Sequence, residues 1–378
     1  MLKLKVPVGL VLILLLYSLT LVSQIPPASK KAITSIDLNA FYGFFIANQP
    51  KSLYLRNDHS RMMELSISRQ TTGRHKWERE SNLPRIGIGL LNGDLGSREY
   101  LGKMTALYPF IHFPLIRAKR SVTSLRLGAG LGWVEKPYDK ETNYKNLMIG
   151  THINAAISMR LQTEWEIIRN LYLNAGIAFT HLSNGSVRLP NLGLNIPAIT
   201  AGLRYQLPSS NAKKTTVPQE VETNDHPKTF ARKTNLFVHA GFAFKQTYPL
   251  ESQVQLVRVL NLELTRTLSP VSRVAGGLIF NYDPSLSKEI YEAPTYTFDK
   301  SEVQLQGSIY GGYEHVVGRL SIPVQLGVYL YNNYQISQVY QMIGLRYLFS
   351  QRWVASVQLK AHFGKADYIQ YGVGYKIF

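Results

Sequence analysis

The amino-acid sequence predicts an all-β protein, an antiparallel transmembrane β-barrel. Apolar residues make up 45% of the 378 residues and charged residues only 17%, with 23 Tyr and 28 Gly. After residue 24, no apolar run reaches the about 20 residues that a membrane-spanning helix needs. Instead, many segments of about ten residues alternate between apolar and polar side chains, as barrel strands do when one face meets lipid and the other meets the lumen.

The N-terminal segment, residues 1–24, indicates export. Lys3 and Lys5 precede an uncharged, mostly apolar run over 6–23 with small residues at its end, which is the pattern of a secretory signal peptide. A single membrane anchor is the alternative, because the run is rather long. The chain has no Cys, which excludes disulfides, Cys-ligated metals and a lipidated N-terminal Cys.

The charge balance points to an anionic partner. Lys and Arg number 42 against 24 Asp and Glu, a net charge of +18. Such an excess suits nucleic acid or a phosphate-rich membrane surface. Export favours the membrane surface and argues against nucleic acid.

Alternation over 125–133, 153–161, 320–330 and 353–363 is the clearest strand signal. We expect eight strands before residue 207, near 34–46, 60–70, 84–92, 103–113, 122–134, 149–164, 170–183 and 197–207. We expect eight more after residue 234, near 235–247, 253–266, 272–282, 302–314, 319–331, 337–348, 353–363 and 368–378. Glu164 and Glu166 share one face near a hairpin end, where solvation explains them.

A polar, Pro-containing stretch over 208–234 separates the two sets of strands. The first choice is therefore two tandem eight-stranded barrels, over 34–207 and 235–378, joined by a linker. One barrel of about sixteen strands is the alternative. The similarity between AGLRYQL, residues 201–207, and IGLRYLF, residues 343–349, is consistent with a duplicated domain but does not demonstrate one. The aromatic C terminus, Phe378, suits recognition by a barrel-assembly machinery during insertion.

A His-x-Ser pair is the main chemical signal. His181 and Ser183 continue the apolar row of the strand that contains Ile177 and Phe179, so they are expected on its lipid-facing side. A histidine beside a serine hydroxyl can accept its proton as the oxygen attacks a carbonyl. The plain alternative is a pair of interfacial polar residues before the Asn184-Gly185 turn.

The stretch HLSNGSVRLPNLGLN, residues 181–195, resembles the active-site segment of the PagL-type lipid A deacylases. The family pattern runs roughly His-x-Ser-Asn-x-Gly, then Pro-Asn-x-Gly, then an acidic residue. The resemblance covers about residues 35–207. It implies an eight-stranded outer-membrane barrel with a Ser-His-Glu triad on its outer surface, and hydrolysis of an ester-linked acyl chain of lipid A.

The resemblance implies roles for single residues. Ser183 matches the nucleophile, His181 the base and Asn191 an oxyanion donor, with the backbone N–H near Ser186 as a second donor. The family's Glu falls at Asn195, which can orient a histidine ring but cannot neutralise an imidazolium. The basic residues expected near barrel rims, as candidate contacts for lipid A phosphates, are Arg117, Lys119, Arg120 and Arg188.

The sequence thus predicts an exported esterase of the bacterial outer membrane that acts on lipid A, without a cofactor and without a metal site. A non-catalytic barrel, such as a porin or a structural or lipid-binding relative with a decayed site, is the first alternative. A phospholipase of wider specificity is the second.

Overall fold

The computed structural model describes residues 32–47, 50–208, 232–248, 250, 252–287, 300–332 and 337–378. The segment interpreted as a signal peptide and most of the expected linker lie outside these residues. Within the described residues, no helix is both long and apolar enough to cross a membrane.

Sixteen antiparallel strands form two closed eight-stranded barrels. The strands of the first barrel are β1 (Thr34–Gly43), β2 (Ser60–Gln70), β3 (Arg85–Asp94), β4 (Lys103–Arg117), β5 (Ser121–Val134), β6 (Ile153–Ile168), β7 (Leu171–Ser183) and β8 (Leu194–Gln206). Those of the second are β9 (Thr234–Lys245), β10 (Gln255–Ser269), β11 (Ser272–Tyr282), β12 (Leu305–Val317), β13 (Leu320–Asn332), β14 (Val339–Leu348), β15 (Trp353–His362) and β16 (Lys365–Lys376). Short helical segments lie at Pro50–Leu55, Lys76–Glu80 and Lys300–Val303.

The expected pair of barrels is therefore confirmed, and the single larger barrel is wrong, because each sheet closes on itself. Strand β1 pairs with both β2 and β8, and β9 pairs with both β10 and β16. The chain divides into two compact units: one holds the strands of the first barrel, and the other holds those of the second together with Gly185–Leu189.

Alternating side chains give each barrel an apolar outside and a polar lumen. On β2, Leu65 is 54% exposed while its neighbour Glu64 is fully buried. An isolated carboxylate cannot be buried cheaply, so the lumen supplies partners. Arg126 and Arg160 contact Glu64 Oε1 at 2.5 and 2.8 Å, and the Tyr108 hydroxyl donates to Oε2.

The second barrel has a similar lumen cluster. Glu263 on its second strand accepts from both Nη atoms of Arg346, at 2.5 and 2.7 Å, and from the Tyr310 hydroxyl at 2.6 Å. Arg160 and Arg346 both lie on the sixth strand of their barrel. In both barrels, a glutamate buried in the lumen is thus paired with an arginine and with a tyrosine hydroxyl.

Glu164 corrects the expectation from sequence. Its side chain is buried in the lumen, where the Arg204 Nε atom donates to it at 3.1 Å and the Arg85 guanidinium pairs with it. Burial with two cations, and not solvation at a hairpin end, explains this acid.

Each barrel has two different ends. We call the end where the first strand begins and the last strand ends the proximal end, and the opposite end the distal end. In the first barrel the connections at the distal end span 44–59, 95–102, 135–152 and 184–193, whereas two of the three proximal connections, 118–120 and 169–170, are tight turns. The longer connections thus lie at the distal end, the arrangement that outer-membrane barrels show at their extracellular end.

A hydrophobic core fills the distal half of the first barrel, beneath its loops. Leu182 on β7, Leu194 on β8 and Met148 of the 135–152 loop are all fully buried there. This packing gives β7 and β8 a rigid backing at the level where the His-x-Ser pair lies on the opposite face.

Candidate active site

His181 and Ser183 lie on the outer face of the first barrel, at the distal end of β7. Their row contains Ile177, which is 61% exposed, while the intervening residues Thr180 and Leu182 point into the lumen and are buried. Ser183 itself is 5% exposed. By strand parity the pair continues the outward row of β7, as the alternation predicts, and Asn191 of the following loop contacts the buried Ser183 hydroxyl.

Asn195 lies directly across from His181. The two residues are register partners on β7 and β8, and His181 Nδ1 is 2.7 Å from Asn195 Oδ1. The Ile46 N–H donates to the Asn195 carbonyl at 2.7 Å, which fixes the backbone on the other side. With Nδ1 donating to Asn195, the ring presents the lone pair of Nε2, the form that can accept a proton.

Asn191 contacts the Ser183 hydroxyl from the loop that follows β7. Its Nδ2 atom donates to Ser183 Oγ at 2.9 Å, and Ser183 Oγ is 3.3 Å from its Oδ1 atom. The Asn184 N–H also donates to Asn191 Oδ1, at 3.3 Å. An amide donor therefore lies beside the Ser183 hydroxyl, as an oxyanion donor beside a serine nucleophile would.

Gly193 packs directly against the His181 ring. Its φ of +75° is a left-handed conformation that favours glycine. A Cβ atom there would lie 3.0 Å from His181 Cε1. Its N–H donates to the Met148 carbonyl at 2.9 Å, which holds the loop against 135–152. Only the glycine in PNLG hinted at this role in the sequence.

Asn184 anchors the start of the same loop. Its Nδ2 atom donates to Thr151 Oγ1 at 3.1 Å, and Thr151 Oγ1 donates to Asn154 Oδ1 at 2.9 Å. Sequence reasoning missed Thr151 and Asn154, because no motif joins residues about 30 positions apart in sequence to the site.

Two of the expected site residues group with the other compact unit. Ser186 and Arg188 belong to Gly185–Leu189, which clusters with the second barrel. Ser186 has a φ of +65° and is buried, whereas Arg188 is exposed. Their roles as oxyanion donor and phosphate contact stay predictions.

The remaining basic residues are not brought near Ser183. Arg117 ends β4, and Lys119 and Arg120 form the turn to β5, all at the proximal end of the first barrel. Arg117 instead donates to Asn82, at 3.2 Å to Oδ1 and 2.9 Å to the carbonyl. A lipid whose ester lies at Ser183 cannot reach them, because the length of the barrel separates them.

Among the described residues, no group of three or more His, Asp or Glu could hold a metal ion.

The second barrel lacks these side chains at the corresponding positions. In the first barrel, Arg160 pairs with Ala178, and His181 and Ser183 follow three and five residues later. In the second, Arg346 pairs with Ser356, and the residues three and five positions on are Leu359 and Ala361.

The facing strand and the loop differ as well. Across from Leu359 lies Ile369, where the first barrel has Asn195. The connection from β15 to β16 is only 363–364, whereas β7 and β8 are joined by 184–193. The second barrel thus has neither the polar side chains nor the loop that carries Asn191.

The comparisons with solved structures return a surface protein and porins. Neisserial surface protein A is 9% identical, over 47% of this chain and 100% of its own, with a TM-score of 0.34. The KdgM porin is 8% identical over 91% and 99%, with a TM-score of 0.19, and a mutant of the Rh. blastica porin is 10% identical over 92% and 100%, with a TM-score of 0.18. Superpositions this poor say nothing about function. A search of curated proteins gave no match.

Two family models match the chain. The model described as lipid A 3-O-deacylase (PagL) matches residues 62–204, and the model described as the C-terminal domain of acyloxyacyl hydrolase matches residues 233–378. The second match extends the likeness into the half where the sequence resemblance ended. The chain belongs to the lipid A 3-O-deacylase (PagL) family, with an acyloxyacyl hydrolase C-terminal domain as its second half.

Proposed function

We propose that this protein is an esterase that removes an ester-linked acyl chain from lipid A, with Ser183 as the nucleophile and His181 as the base. Family membership and the barrel fold indicate a lipid A deacylase of the bacterial outer membrane. The observation that supports the Ser-His mechanism is that both side chains continue the outward row of β7, with Asn195 in contact with His181 and Asn191 in contact with Ser183.

The reaction proceeds in two steps. His181 Nε2 accepts the Ser183 proton as Oγ attacks the ester carbonyl, and the tetrahedral intermediate collapses when the imidazolium returns that proton to the departing sugar oxygen. The same ring then deprotonates a water, which attacks the acyl carbon. As the bond to Ser183 Oγ breaks, the imidazolium returns the proton to Oγ and the fatty acid leaves. Both steps use the tautomer that the 2.7 Å contact with Asn195 sets.

Asn191 supports the intermediate. Its Nδ2 atom, 2.9 Å from Ser183 Oγ, is close enough to reach an oxyanion on the carbon that Oγ attacks. One such donor typically contributes about 100- to 1,000-fold in kcat. The backbone N–H near Ser186 is the second donor that the family pattern implies.

Asn195 is the observation that favours a non-catalytic barrel. It orients the ring, but a neutral amide does not stabilise the imidazolium that forms in both steps. A member of the family with this substitution is either a slower enzyme or a barrel with a decayed site.

The deciding experiment measures lipid A directly. The full chain is expressed in a bacterium of known lipid A structure, beside the Ser183→Ala and His181→Ala variants. His152→Ala is the matched control, because His152 precedes β6 at the same end of this barrel and stacks on Trp133 at 4.6 Å. Lipid A masses and released fatty acids are then compared in equal amounts of folded protein.

Loss of one ester-linked acyl chain in the wild type and in His152→Ala, but in neither site variant, supports the proposal. We expect each site variant to lose more than about a thousandfold in rate. Identical lipid A in all four strains favours the non-catalytic barrel. Fatty acid released from phospholipid alone favours the phospholipase.

A further inference from the structure

The proximal end of the second barrel contains a cavity of about 140 Å³. One water needs only about 10–15 Å³ of such space, so the cavity can hold a larger polar group. It opens there because the proximal connections are short: 270–271, 318–319 and 349–352 leave the lumen uncovered. The first barrel has the 71–84 segment at its corresponding end.

Positive charge dominates the lining of this cavity. Its acids are already neutralised: Glu263 by Arg346 at 2.5 Å, and Glu314 by Arg273 at 3.0 Å. Three further cations line the cavity, and none of them pairs with a carboxylate in the described part of the chain: Lys233, Arg319 and Lys376. Each of the two acids in the lining is paired with an arginine, so the lining has three more positive than negative side chains.

His239 adds a buried donor to the same cavity. It is 4% exposed, and its Nε2 atom makes no hydrogen bond, lying 3.6 Å from Glu263 Oε1. Phe237 stacks on its ring at 5.6 Å. Gly374 leaves the space that the ring occupies, because a Cβ atom there would lie 2.1 Å from His239 Nδ1. The ring is thus packed in place, with its Nε2 atom near Glu263 and without a hydrogen bond.

We propose that this cavity binds a phosphate group, either free or as part of a lipid headgroup. A tetrahedral oxyanion offers enough acceptors for Arg319, Lys233 and Lys376 at the mouth and for the His239 N–H deeper in. Arg and Lys are the usual phosphate ligands, and low-dielectric walls strengthen the attraction. The site is separate from Ser183 and does not depend on the esterase proposal.

The test titrates the purified full chain, in a non-ionic detergent, with inorganic phosphate, followed by calorimetry and by ³¹P NMR. We expect saturable binding of one phosphate per chain, weakening as salt rises because the cations at the mouth are exposed. The double variant Arg319→Gln/Lys376→Gln should bind about tenfold more weakly. Both changes lie at the barrel rim and keep polar side chains, and heat-modifiable mobility in gels verifies folding.

Arg352→Gln is the matched control. Arg352 is an exposed arginine at the same end, bonded to the Tyr375 hydroxyl at 2.9 Å, and does not line the cavity. Binding in this variant should equal the wild type. Absence of saturable binding, or equal weakening in the control and the double variant, overturns the proposal.

A second titration with a short-chain phosphatidic acid separates the two sources of phosphate. Tighter binding of inorganic phosphate, lost in the double variant, supports a site for the free ion. Tighter binding of the phosphatidic acid, also lost in the double variant, supports a headgroup site.

Discussion

His181 Nδ1 lies 2.7 Å from Asn195 Oδ1, between two strands that pair these residues directly. The contact sets the tautomer of the ring and its direction. It supplies no charge, because Asn195 stands where the family pattern has a glutamate. The contact that orients the His181 ring is therefore present without the negative charge that a glutamate would add.

Replacing Asn195 with Glu should raise deacylation. A carboxylate at this distance stabilises the imidazolium that forms during the reaction, and an increase of about tenfold corresponds to ~1.4 kcal/mol of that stabilisation. The initial rate of fatty acid release checks this. Asn195→Leu, which removes the ring contact, should lower the rate, and a faster Asn195→Leu would contradict the orienting role.

Replacing Gly193 with Ala should reduce activity about 10- to 100-fold, because the added Cβ would lie 3.0 Å from His181 Cε1 and displace the ring. The left-handed backbone adds a cost of about 1–2 kcal/mol in stability. Gly364→Ala is the control: its φ is +94°, but a Cβ there meets nothing within 4 Å. Equal activity loss in both variants would mean that strain alone, and not the contact with His181, is responsible.

Replacing Glu64 with Gln should destabilise the first barrel by about 3–5 kcal/mol, since it leaves Arg126 and Arg160 buried without their counter-charge. Urea unfolding in lipid vesicles measures the free energy. Asp58→Asn, at an exposed pair with Arg61, should change it by less than about 0.5 kcal/mol. A Glu64→Gln barrel as stable as the wild type would show that the lumen cluster contributes little.

A serine-directed alkyl fluorophosphonate should label each chain once, at Ser183. The second barrel has Leu359, Ala361 and Ile369 at the positions of His181, Ser183 and Asn195, so it offers no activated serine. Intact mass gives the number of adducts, and peptide mapping gives the site. An adduct within 234–378, or one that survives Ser183→Ala, would contradict a single reactive centre.

The strands could be predicted well because alternation fixes which side chains face lipid. The sequence placed β2 and β11 at their observed bounds, and β7 within one residue. Strand β6 begins four residues later than expected, at Ile153, because the preceding polar and apolar residues continue the alternating pattern into the loop. Alternation cannot report the register between distant strands, so the meeting of Tyr108 and Arg160 at Glu64 was not foreseen.

The similar segments AGLRYQL and IGLRYLF lie on strands of different order in the two barrels, and a duplicated domain stays a prediction. The first lies on β8, the last strand of its barrel, and the second on β14, the sixth strand of the other. A feature that the two barrels do share is a lumen Glu on the second strand paired with an Arg on the sixth. It involves single residues separated by many positions, which no contiguous match detects.

For the site, alternation predicted an outward direction for His181 and Ser183, and the family resemblance singled out Asn191 and Asn195. In the structure His181 contacts Asn195 and Ser183 contacts Asn191. The order of the strands already shows that Arg117, Lys119 and Arg120 lie far from Ser183. Ser183 is the last residue of an odd-numbered strand and Arg117 the last residue of an even-numbered one. In an antiparallel barrel these strands run in opposite directions, so the two residues lie at opposite ends of the barrel. The contacts of Gly193 and Thr151 needed coordinates, because they come from loop folding.

The outward direction of Ser183 changes what substrate concentration means for this protein. A site on the barrel exterior is reached by lateral diffusion within a leaflet, so the rate should follow the mole fraction of lipid A in the surface and not its amount per volume. In mixed micelles, added detergent lowers the mole fraction of lipid A at the micelle surface. It should therefore slow the reaction even when the total concentrations of protein and lipid A are unchanged.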